Sequence, residues 1–402
     1  MTTSEDNDKN ILEVGLLHRT MVFFQKAEQL PSPALFLLQI AAAALLALLW
    51  HVLGASLHVS VVASLVLLLF SVADVALLRW LCRRHVSFGP VQAQTTVLLT
   101  SRAVVGVLIG LLVFLLDWTV VLGALIMAQA SGTLLLWWGA ALEPHRLALS
   151  HLELQLATLP PGSAPVRLLH ISDIHLERWA ERDEKLLALA REAKPDAILI
   201  TGDYLNLSHN ADKVAQQQLA RLLTQLEAPY GVYATLGSPP VDLRQEIVPI
   251  LEALPLQLLC DGWTTVRLGD GARLVLVGLD CTHYIDKDSA SLARVADAAP
   301  DSAPRILLYH SPELMPYASK NDIDLYLCGH THGGQVRLPL IGPLLTSSKL
   351  GRRYVMGHYR LGKTHLYVSR GVGLEGLSAP RVRLFAPPEI TLVTLYPEDG
   401  EQ

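Results

Sequence analysis

Charged residues are scarce in this sequence, and the scarcity is confined to one region. Asp, Glu, Lys and Arg make up 17% of the 402 residues, against roughly 25% in a typical soluble protein. Residues 34–142 contain only six of them in 109 positions, whereas residues 143–402 contain 55 in 260. The chain therefore divides into an apolar N-terminal third and a normally charged globular part. This division excludes a disordered or collagen-like protein.

Several patterns that define common protein classes are also missing. No CxxC pair occurs, and the four cysteines suggest no disulfide framework: Cys82, Cys260, Cys281 and Cys328. No GxxxxGK[ST] or GxSxG is present, and the GxGxxG at residues 371–376 precedes prolines rather than a helix. These absences exclude a P-loop enzyme, a serine hydrolase and a dinucleotide-binding fold. The net charge of −5 gives no reason to expect nucleic acid as a partner.

Four apolar runs of about 20 residues or more fill the N-terminal third. They cover residues 34–53, 59–80, 97–116 and 119–142. Each is long enough to cross a bilayer as a helix, and none has the polar face that a soluble helical bundle needs. We therefore predict a multi-pass, all-α region of four transmembrane helices over residues 34–142, with the lipid bilayer as a partner.

The distribution of Lys and Arg around these runs predicts their orientation. The first and third loops contain neither residue, whereas the second contains Arg79, Arg83 and Arg84. Basic residues also occur in the N-terminal tail, residues 1–33, and Arg146 follows the fourth run. Positive loops face the cytoplasm. This pattern predicts a protein of the cell inner membrane with both termini and the large domain on the cytoplasmic side.

Two features inside the apolar region have alternative interpretations. Asp74 and Arg102 lie at matching depths, which favours a structural ion pair over a proton or ion path. No further span carries a charge near its middle, so a transport component is unlikely as a class. Gly106 and Gly110 form a GxxxG pattern. That pattern is compatible with close helix packing within the chain or with a homodimer through these two glycines.

After a linker over residues 143–165, the sequence alternates between strand-like and helical patterns. The predicted strands are 166–172, 197–201, 232–236, 274–278, 305–309, 325–328, 365–369 and 390–396. The predicted helices are 183–193, 211–226, 243–254 and 289–298. Such alternation is typical of an α/β fold. We place this domain at residues 166–397.

The residues suited to metal binding follow four of the predicted strands. Their carboxyl ends are where open α/β sheets bind ligands. The set comprises two carboxylates and four imidazoles, the mixed oxygen and nitrogen donors that suit Mn²⁺, Fe or Zn²⁺: Asp173, His175, Asp203, His310, His330 and His332. Any one of these residues is unremarkable by itself, but together they predict a metal site.

This arrangement resembles the calcineurin-like metallophosphoesterases, and within them a membrane-associated bacterial branch. The motifs that carry the resemblance are GHTHGGQ at 329–335, YVSRG at 367–371 and PPEI at 387–390. The resemblance implies a four-layer αββα sandwich of two mixed sheets between helices. It also implies two divalent metal ions, of Mn, Fe or Zn, which activate water for an in-line displacement at phosphorus.

By the same resemblance, the six residues divide between the two ions. Asp173, His175 and His332 bind one ion, His310 and His330 bind the other, and Asp203 bridges them. The resemblance predicts no catalytic residue beyond these metal ligands and the water that they activate.

One motif departs from the family. The family has Gly-Asn-His followed by Asp or Glu after the third strand, and this chain has Gly237-Ser238-Pro239-Pro240. Serine offers only a weak neutral oxygen, so we expect looser binding of the second ion, and Asn206 is a conceivable replacement ligand. The alternative to an active enzyme is a catalytically impaired binding or regulatory protein that keeps the fold.

Residues 336–363 contain six basic and no acidic residues and follow the metal-binding histidines directly. We predict that Arg337, Arg352 and Arg353 bind a phosphorylated substrate and that the apolar stretch 338–345 forms a lid against an anionic lipid headgroup. A solvated loop is the alternative. The sequence as a whole predicts a membrane-anchored, metal-dependent phosphoesterase that hydrolyses a phosphodiester or pyrophosphate, with a lipid-linked compound as the substrate.

Overall fold

The computed structural model describes residues 16–269 and 271–398, with side chains from residue 19 onward. The described chain forms two compact units. The helical unit contains residues 16–142 and the segment Gly376–Val382. The α/β unit contains Glu143–Glu375 and the residues from Arg383 onward. The predicted N-terminal tail lies outside the described residues up to position 15.

The helical unit contains the four helices that the apolar runs predict, preceded by a short one. The bounds are α1 Leu16–Gln25, α2 Ser32–Val52, α3 Leu57–Arg83, α4 Val91–Gly110 and α5 Trp118–Trp137. Helices α2 to α5 are long and apolar enough to cross a membrane. Two begin at side-chain caps, where Ser56 accepts a hydrogen bond from the Val59 amide and Asp117 from the Thr119 amide.

The Asp74–Arg102 pair and the GxxxG glycines of this unit both make contacts within the chain. The Arg102 guanidinium donates two hydrogen bonds to the Asp74 carboxylate, at 2.5 and 2.6 Å. The expected ion pair between α3 and α4 is therefore present. Gly106 packs against Leu46, and a methyl group at Gly110 would lie 2.5 Å from the Trp50 indole nitrogen. The glycines thus permit close packing of α4 on α2. A homodimer through them stays a prediction.

The α/β unit contains fourteen described strands and five helices. The strands are β1 Ala148–Leu156, β2 Val166–Ile171, β3 Ala197–Thr201, β4 Val232–Thr235, β5 Gln257–Leu258, β6 Gly262–Arg267, β7 Arg273–Gly278, β8 Arg305–Leu308, β9 Leu325–Cys328, β10 Arg337–Leu338, β11 Gly342–Pro343, β12 Gly357–Leu361, β13 Thr364–Val368 and β14 Glu389–Pro397. The helices are α6 Glu181–Ala193, α7 Lys213–Leu223, α8 Arg244–Glu252, α9 Ile285–Ala298 and α10 Met315–Ala318.

Two six-stranded mixed sheets form the centre of this unit. Their strand orders are β1-β14-β2-β3-β4-β5 and β12-β13-β9-β8-β7-β6. In the first sheet β2 to β5 run parallel, and β14 pairs antiparallel with β2. In the second sheet β7, β8, β9 and β13 run parallel, with antiparallel strands at both edges. The parallel strands end together, which collects their following loops at one edge.

Three apolar layers hold the sheets and helices together. Alternate residues of β2 show the division, because Leu168 packs between the two sheets and Leu169 packs toward α6, α7 and α8. On the other side of the second sheet, Leu307 packs toward α9 and α10. The alternation follows the two-residue period of a strand. The result is the predicted four-layer αββα sandwich.

Two domain boundaries require correction. Residues 143–165, predicted as a linker, contain β1, which pairs in parallel with β14 along its whole length. Its alternate residues Leu154 and Leu156 are buried between the sheets, so this segment is part of the fold. The segment Gly376–Val382, predicted inside the α/β domain, groups with the helical unit.

Candidate metal centre

The six predicted ligands lie at the carboxyl ends of β2, β3, β8 and β9. The register brings the first two loops side by side, because the Asp173 amide donates to the Gly202 carbonyl and the His175 amide to the Asp203 carbonyl. Five of the six residues have a positive φ: Asp173 51°, His175 41°, Asp203 56°, His330 69° and His332 50°. Such backbone strain in residues other than glycine is uncommon and concentrates at functional sites.

Glycines let these loops approach one another closely. A Cβ atom at Gly329 would lie 1.8 Å from an oxygen of Asp173, and one at Gly237 would lie 2.1 Å from an oxygen of Asp203. Any other residue would push the two carboxylates away. The glycines that flank the sequence motifs are therefore required by the packing of the site itself.

The ligands form two neighbouring groups of three residues. Asp173, His175 and His332 form the first group, and Asp203, His310 and His330 form the second, with donor atoms in each group within 4.8 Å of one another. The Oδ2 atom of Asp203 lies 3.5 Å from Nε2 of His175 and 3.2 Å from Nε2 of His310. Asp203 therefore stands between the groups, in the position that the resemblance assigns to a bridging ligand.

The donor atoms lie near the separations that ligands of one divalent ion have. Ligands about 2.1 Å from one ion lie about 3.0–3.4 Å apart. In the first group Nε2 of His332 is 3.0 Å from Nε2 of His175 and 3.5 Å from Oδ1 of Asp173. Nδ1 of His310 faces the Thr201 carbonyl at 2.7 Å, which leaves its buried Nε2 to face Asp203. These residues fit a pair of divalent ions.

Two residues outside the ligand groups contact the outward-facing nitrogens of His175 and His332. Oε2 of Glu375 lies 2.9 Å from Nδ1 of His175, so a carboxylate backs this imidazole and directs its Nε2 lone pair inward. Nη2 of Arg383 lies 3.1 Å from Nδ1 of His332. Because arginine can only donate, binding of an ion at Nε2 of His332 requires Arg383 to leave Nδ1.

The carboxylates create a strongly negative environment for the imidazoles. Burial acts to lower the pKa of His175, yet Glu375, Asp203 and Asp173 together raise it to about 9. Burial also acts to lower the pKa of His310, but Asp203 and Asp173 together raise it to about 10. The same histidines hold the pKa of Asp203 well below its usual range, despite its burial. This environment attracts cations.

Asp242 fixes the loops around Asp203, a role that the sequence motifs did not indicate. Its carboxylate accepts hydrogen bonds from the amides of Asp203, Tyr204 and Gly237, at 2.7 to 3.0 Å. Burial and the nearby Asp203 charge raise the pKa of Asp242 to about 7. The side chain lies two residues after the Pro-Pro pair, where only the folded chain reveals its partners.

Sequence reasoning missed two residues near the Gly-Ser-Pro-Pro motif: His283, which contacts Ser238, and Glu313, which faces His283. Nε2 of His283 lies 3.1 Å from Oγ of Ser238, and the His283 ring packs on His330. Oε2 of Glu313 lies 3.8 Å from Nδ1 of His283. Burial acts to raise the pKa of Glu313, but His283, His330 and Ser311 together lower it to about 2.

The suggested replacement ligand, Asn206, is occupied elsewhere. Its Nδ2 donates to the Leu374 carbonyl, and its Oδ1 accepts hydrogen bonds from the amide and the hydroxyl of Ser208. The structure therefore does not support Asn206 as a ligand to the second ion.

The three predicted substrate-binding arginines are held in different ways. Nη1 of Arg337 donates to the Gly333 carbonyl, next to His332, and Nη1 of Arg352 donates to the Ile341 carbonyl. Arg353 is exposed and lies over the Tyr354 ring. Arg337 is thus the one of the three that is fixed directly to the metal-binding motif.

Comparison with known proteins decides the family. The model of the calcineurin-like phosphoesterase family matches residues 166–334. The metallophosphoesterase YkuE of Bacillus subtilis is 32% identical over 260 residues, which cover 63% of this chain and 87% of YkuE. The chain belongs to the calcineurin-like phosphoesterases. It is therefore a metallophosphoesterase, a hydrolase of phosphoric esters, as the motifs predicted.

Two further relatives of this metallophosphoesterase have more specific names. The phosphodiesterase YaeI of Escherichia coli is 29% identical over 60% of this chain and 86% of YaeI. The UDP-2,3-diacylglucosamine pyrophosphatase LpxG of Chlamydia muridarum is 26% identical over 66% of this chain and 94% of LpxG. The names describe those proteins, and both name hydrolysis of a diester or of a diphosphate.

Proposed function

We propose that this metallophosphoesterase is a membrane-anchored enzyme that hydrolyses a phosphodiester or a pyrophosphate in a lipid-linked substrate. The observation that carries the proposal is the position of Asp203 between the two ligand groups, 3.5 Å from His175 and 3.2 Å from His310. A shared carboxylate of this kind is suited to a pair of ions acting on one phosphoryl group. The names of YaeI and LpxG support the substrate class.

The chain's own residues would bind, orient and shield the reacting group. When bound, two divalent ions activate water for attack at phosphorus and neutralise charge on the phosphoryl oxygens. Asp173, His175 and His332 would hold one ion, and His310 and His330 the other, with Asp203 between them. Arg337 adds a fixed positive charge beside His332 for a second phosphate oxygen.

The lid loop, residues 338–345, supports a lipid-linked substrate. It begins three residues after the GHTHGGQ motif, and Gly334 of that motif packs closely on Pro343. Leu340, Ile341, Leu344 and Leu345 are all exposed. Exposed large apolar side chains grouped in one short segment suit an interaction site, and acyl chains would cover them. The neighbouring Arg337 and Arg352 suit the phosphates of a headgroup.

The four apolar helices support anchoring, and the basic loops around them support a cytoplasmic α/β unit in the inner membrane. Reporter fusions at Gly54 and Gln402 test this orientation. We expect a cytoplasmic reporter to be active at Gln402 and a periplasmic one at Gly54. The reverse pattern would contradict the proposed location.

The activity itself is testable with the full-length protein in detergent or nanodiscs after Mn²⁺ loading. We expect hydrolysis of bis(p-nitrophenyl) phosphate and of a nucleoside-diphosphate lipid, and slower hydrolysis of the monoester p-nitrophenyl phosphate. Asp203→Asn should abolish these activities, whereas the matched control Asp322→Asn, at an exposed carboxylate, should not. Diester and diphosphate hydrolysis no faster than in Asp203→Asn would overturn the proposal and favour a binding role.

A further inference from the structure

Ser238 lies directly beside the second ligand group. It follows β4, and its side chain is buried, with an exposed fraction of 1%. Its amide donates to Oδ1 of Asp203 at 2.7 Å. Its Oγ lies 3.4 Å from Nδ1 of His330, a separation that fits two ligands of one ion. The hydroxyl oxygen is therefore within reach of an ion held by Asp203, His310 and His330.

His283 holds this hydroxyl. It follows β7 at a positive φ of 61°, and its exposed fraction is 4%. Nε2 of His283 lies 3.1 Å from Oγ of Ser238, and its ring centroid lies 4.7 Å from that of His330. If the serine hydroxyl donates its hydrogen to Nε2, both oxygen lone pairs become available to an ion.

Glu313 in turn faces His283. Its Oε2 lies 3.8 Å from Nδ1 of the imidazole, which favours the tautomer with a proton on Nδ1 and an accepting Nε2. Oε1 of Glu313 accepts from the Lys349 amide at 2.7 Å, and Nζ of Lys349 donates to the His283 carbonyl at 3.1 Å. Backbone and side chain together fix the pair. Three residues from separate loops thus form a chain of contacts that ends at the second group: Glu313 faces His283 as an ion-pair partner, and His283 is hydrogen-bonded to Ser238.

We propose that Ser238 supplies a fourth protein donor to the second metal ion, and that His283 and Glu313 are positioning residues that orient its hydroxyl oxygen toward the ion. This inference rests on the proposed two-metal function. It assigns a role to the motif in which the chain departs from its family. A neutral hydroxyl is a weak ligand unless an outer partner takes its hydrogen, and His283 is placed to do so.

The test is Mn²⁺ binding to the full-length protein in detergent. Calorimetry measures the affinities, and electron paramagnetic resonance detects the bound ions. We expect two ions in the wild type. Ser238→Ala and His283→Gln should each lower the affinity for the second ion about 10–100-fold and leave the affinity for the first unchanged. The matched control His365→Gln, in β13, should bind both ions normally. The thermal midpoint of each metal-free variant reports its folding.

A second variant isolates the role of His283 from any effect on folding. Ser238→Asn replaces the hydroxyl by an amide carbonyl that needs no partner to present its oxygen. In that background His283→Gln should no longer weaken the second ion. The positioning role would be overturned if His283→Gln lowered the affinity for both ions equally. It would also be overturned if His283→Gln lowered the affinity for the second ion just as much with Asn at position 238.

The outcomes separate this inference from the proposed function. Two ions in the wild type, with unchanged affinity in Ser238→Ala and His283→Gln, would overturn the inference and leave the two-metal function intact. One ion or none in the wild type would overturn both. Selective loss of the second ion in the two variants would support both.

Discussion

Glu375 backs His175: its Oε2 atom lies 2.9 Å from Nδ1 of that imidazole. The glutamate comes from the loop after β13 and the histidine from the loop after β2. Their contact ties the loop that begins with YVSRG to the first ligand group. A carboxylate in this position fixes the tautomer of a metal-binding histidine and makes it a better donor.

Replacing Glu375 by Gln should therefore weaken binding of the first ion while leaving the fold intact. We expect a loss of about 10–100-fold in Mn²⁺ affinity at that ion, because the amide provides no charge to the imidazole. Calorimetric titration measures it. The exposed Glu227→Gln is the matched control. Unchanged affinity for both ions in Glu375→Gln would show that this contact does not tune the site.

The lid loop should distinguish lipid from soluble substrates. Leu340 is fully exposed at its tip, so Leu340→Asp should preserve folding while repelling acyl chains and anionic headgroups. We expect KM for a nucleoside-diphosphate lipid in mixed micelles to rise about tenfold, and hydrolysis of bis(p-nitrophenyl) phosphate to stay unchanged. Leu340→Ala is the milder comparison. Equal effects on both substrates would argue against a lid that contacts lipid.

The Asp74–Arg102 pair should be essential for the stability of the helical unit. Arg102 also donates to Gln129 and Thr133, so Asp74→Asn leaves a buried cation with neutral partners only. Removing one partner of a buried pair costs about 3–5 kcal/mol. Thermal unfolding in detergent should show this loss, and Asp74→Asn combined with Arg102→Met should recover much of it. A double variant no more stable than the single one would contradict the pairing.

His170 should make the α/β unit sensitive to acid. It is buried in β2 with Nε2 2.8 Å from the Thr201 hydroxyl, and burial lowers its pKa from 6.5 to about 3. The folded protein therefore excludes a proton that the unfolded chain binds below pH 6.5. The resulting loss of stability is absent above that pH and grows as the pH falls toward 3.

At pH 5 this single residue costs about 2 kcal/mol of stability. His170→Gln should therefore show a smaller fall in thermal midpoint between pH 7 and pH 5 than the wild type does. The exposed His151→Gln is the matched control and should behave like the wild type. An equal fall in His170→Gln and the wild type would mean that another group controls the acid response.

The sequence predicted the inner strands of both sheets and missed their edges. Strands β3 and β9 were predicted at their observed bounds, because buried parallel strands are continuous apolar runs. The strands without a prediction include all four sheet edges: β1, β5, β6 and β12. Edge strands are half exposed, so their polar residues break up the apolar pattern.

The six candidate ligands could be predicted because each lies at the carboxyl end of a predicted strand. Glu375 was missed for the opposite reason, since it lies in a GxGxxG pattern that was rejected as a dinucleotide site. His283 and Glu313 were missed because no motif surrounds them. They reach Ser238 through contacts between loops that are 30 residues apart or more along the chain. Such contacts depend on sheet order, which local patterns do not encode.

In the proposed site, six residues hold two ions with Asp203 between them. The most direct test is the Mn²⁺ content of the purified full-length protein, measured by elemental analysis against protein concentration, with Asp203→Ala and Asp322→Ala compared in parallel. We predict two ions per chain in the wild type and in Asp322→Ala, and loss of at least one in Asp203→Ala. One ion or none in the wild type, or two in Asp203→Ala, would contradict a two-ion site that depends on Asp203.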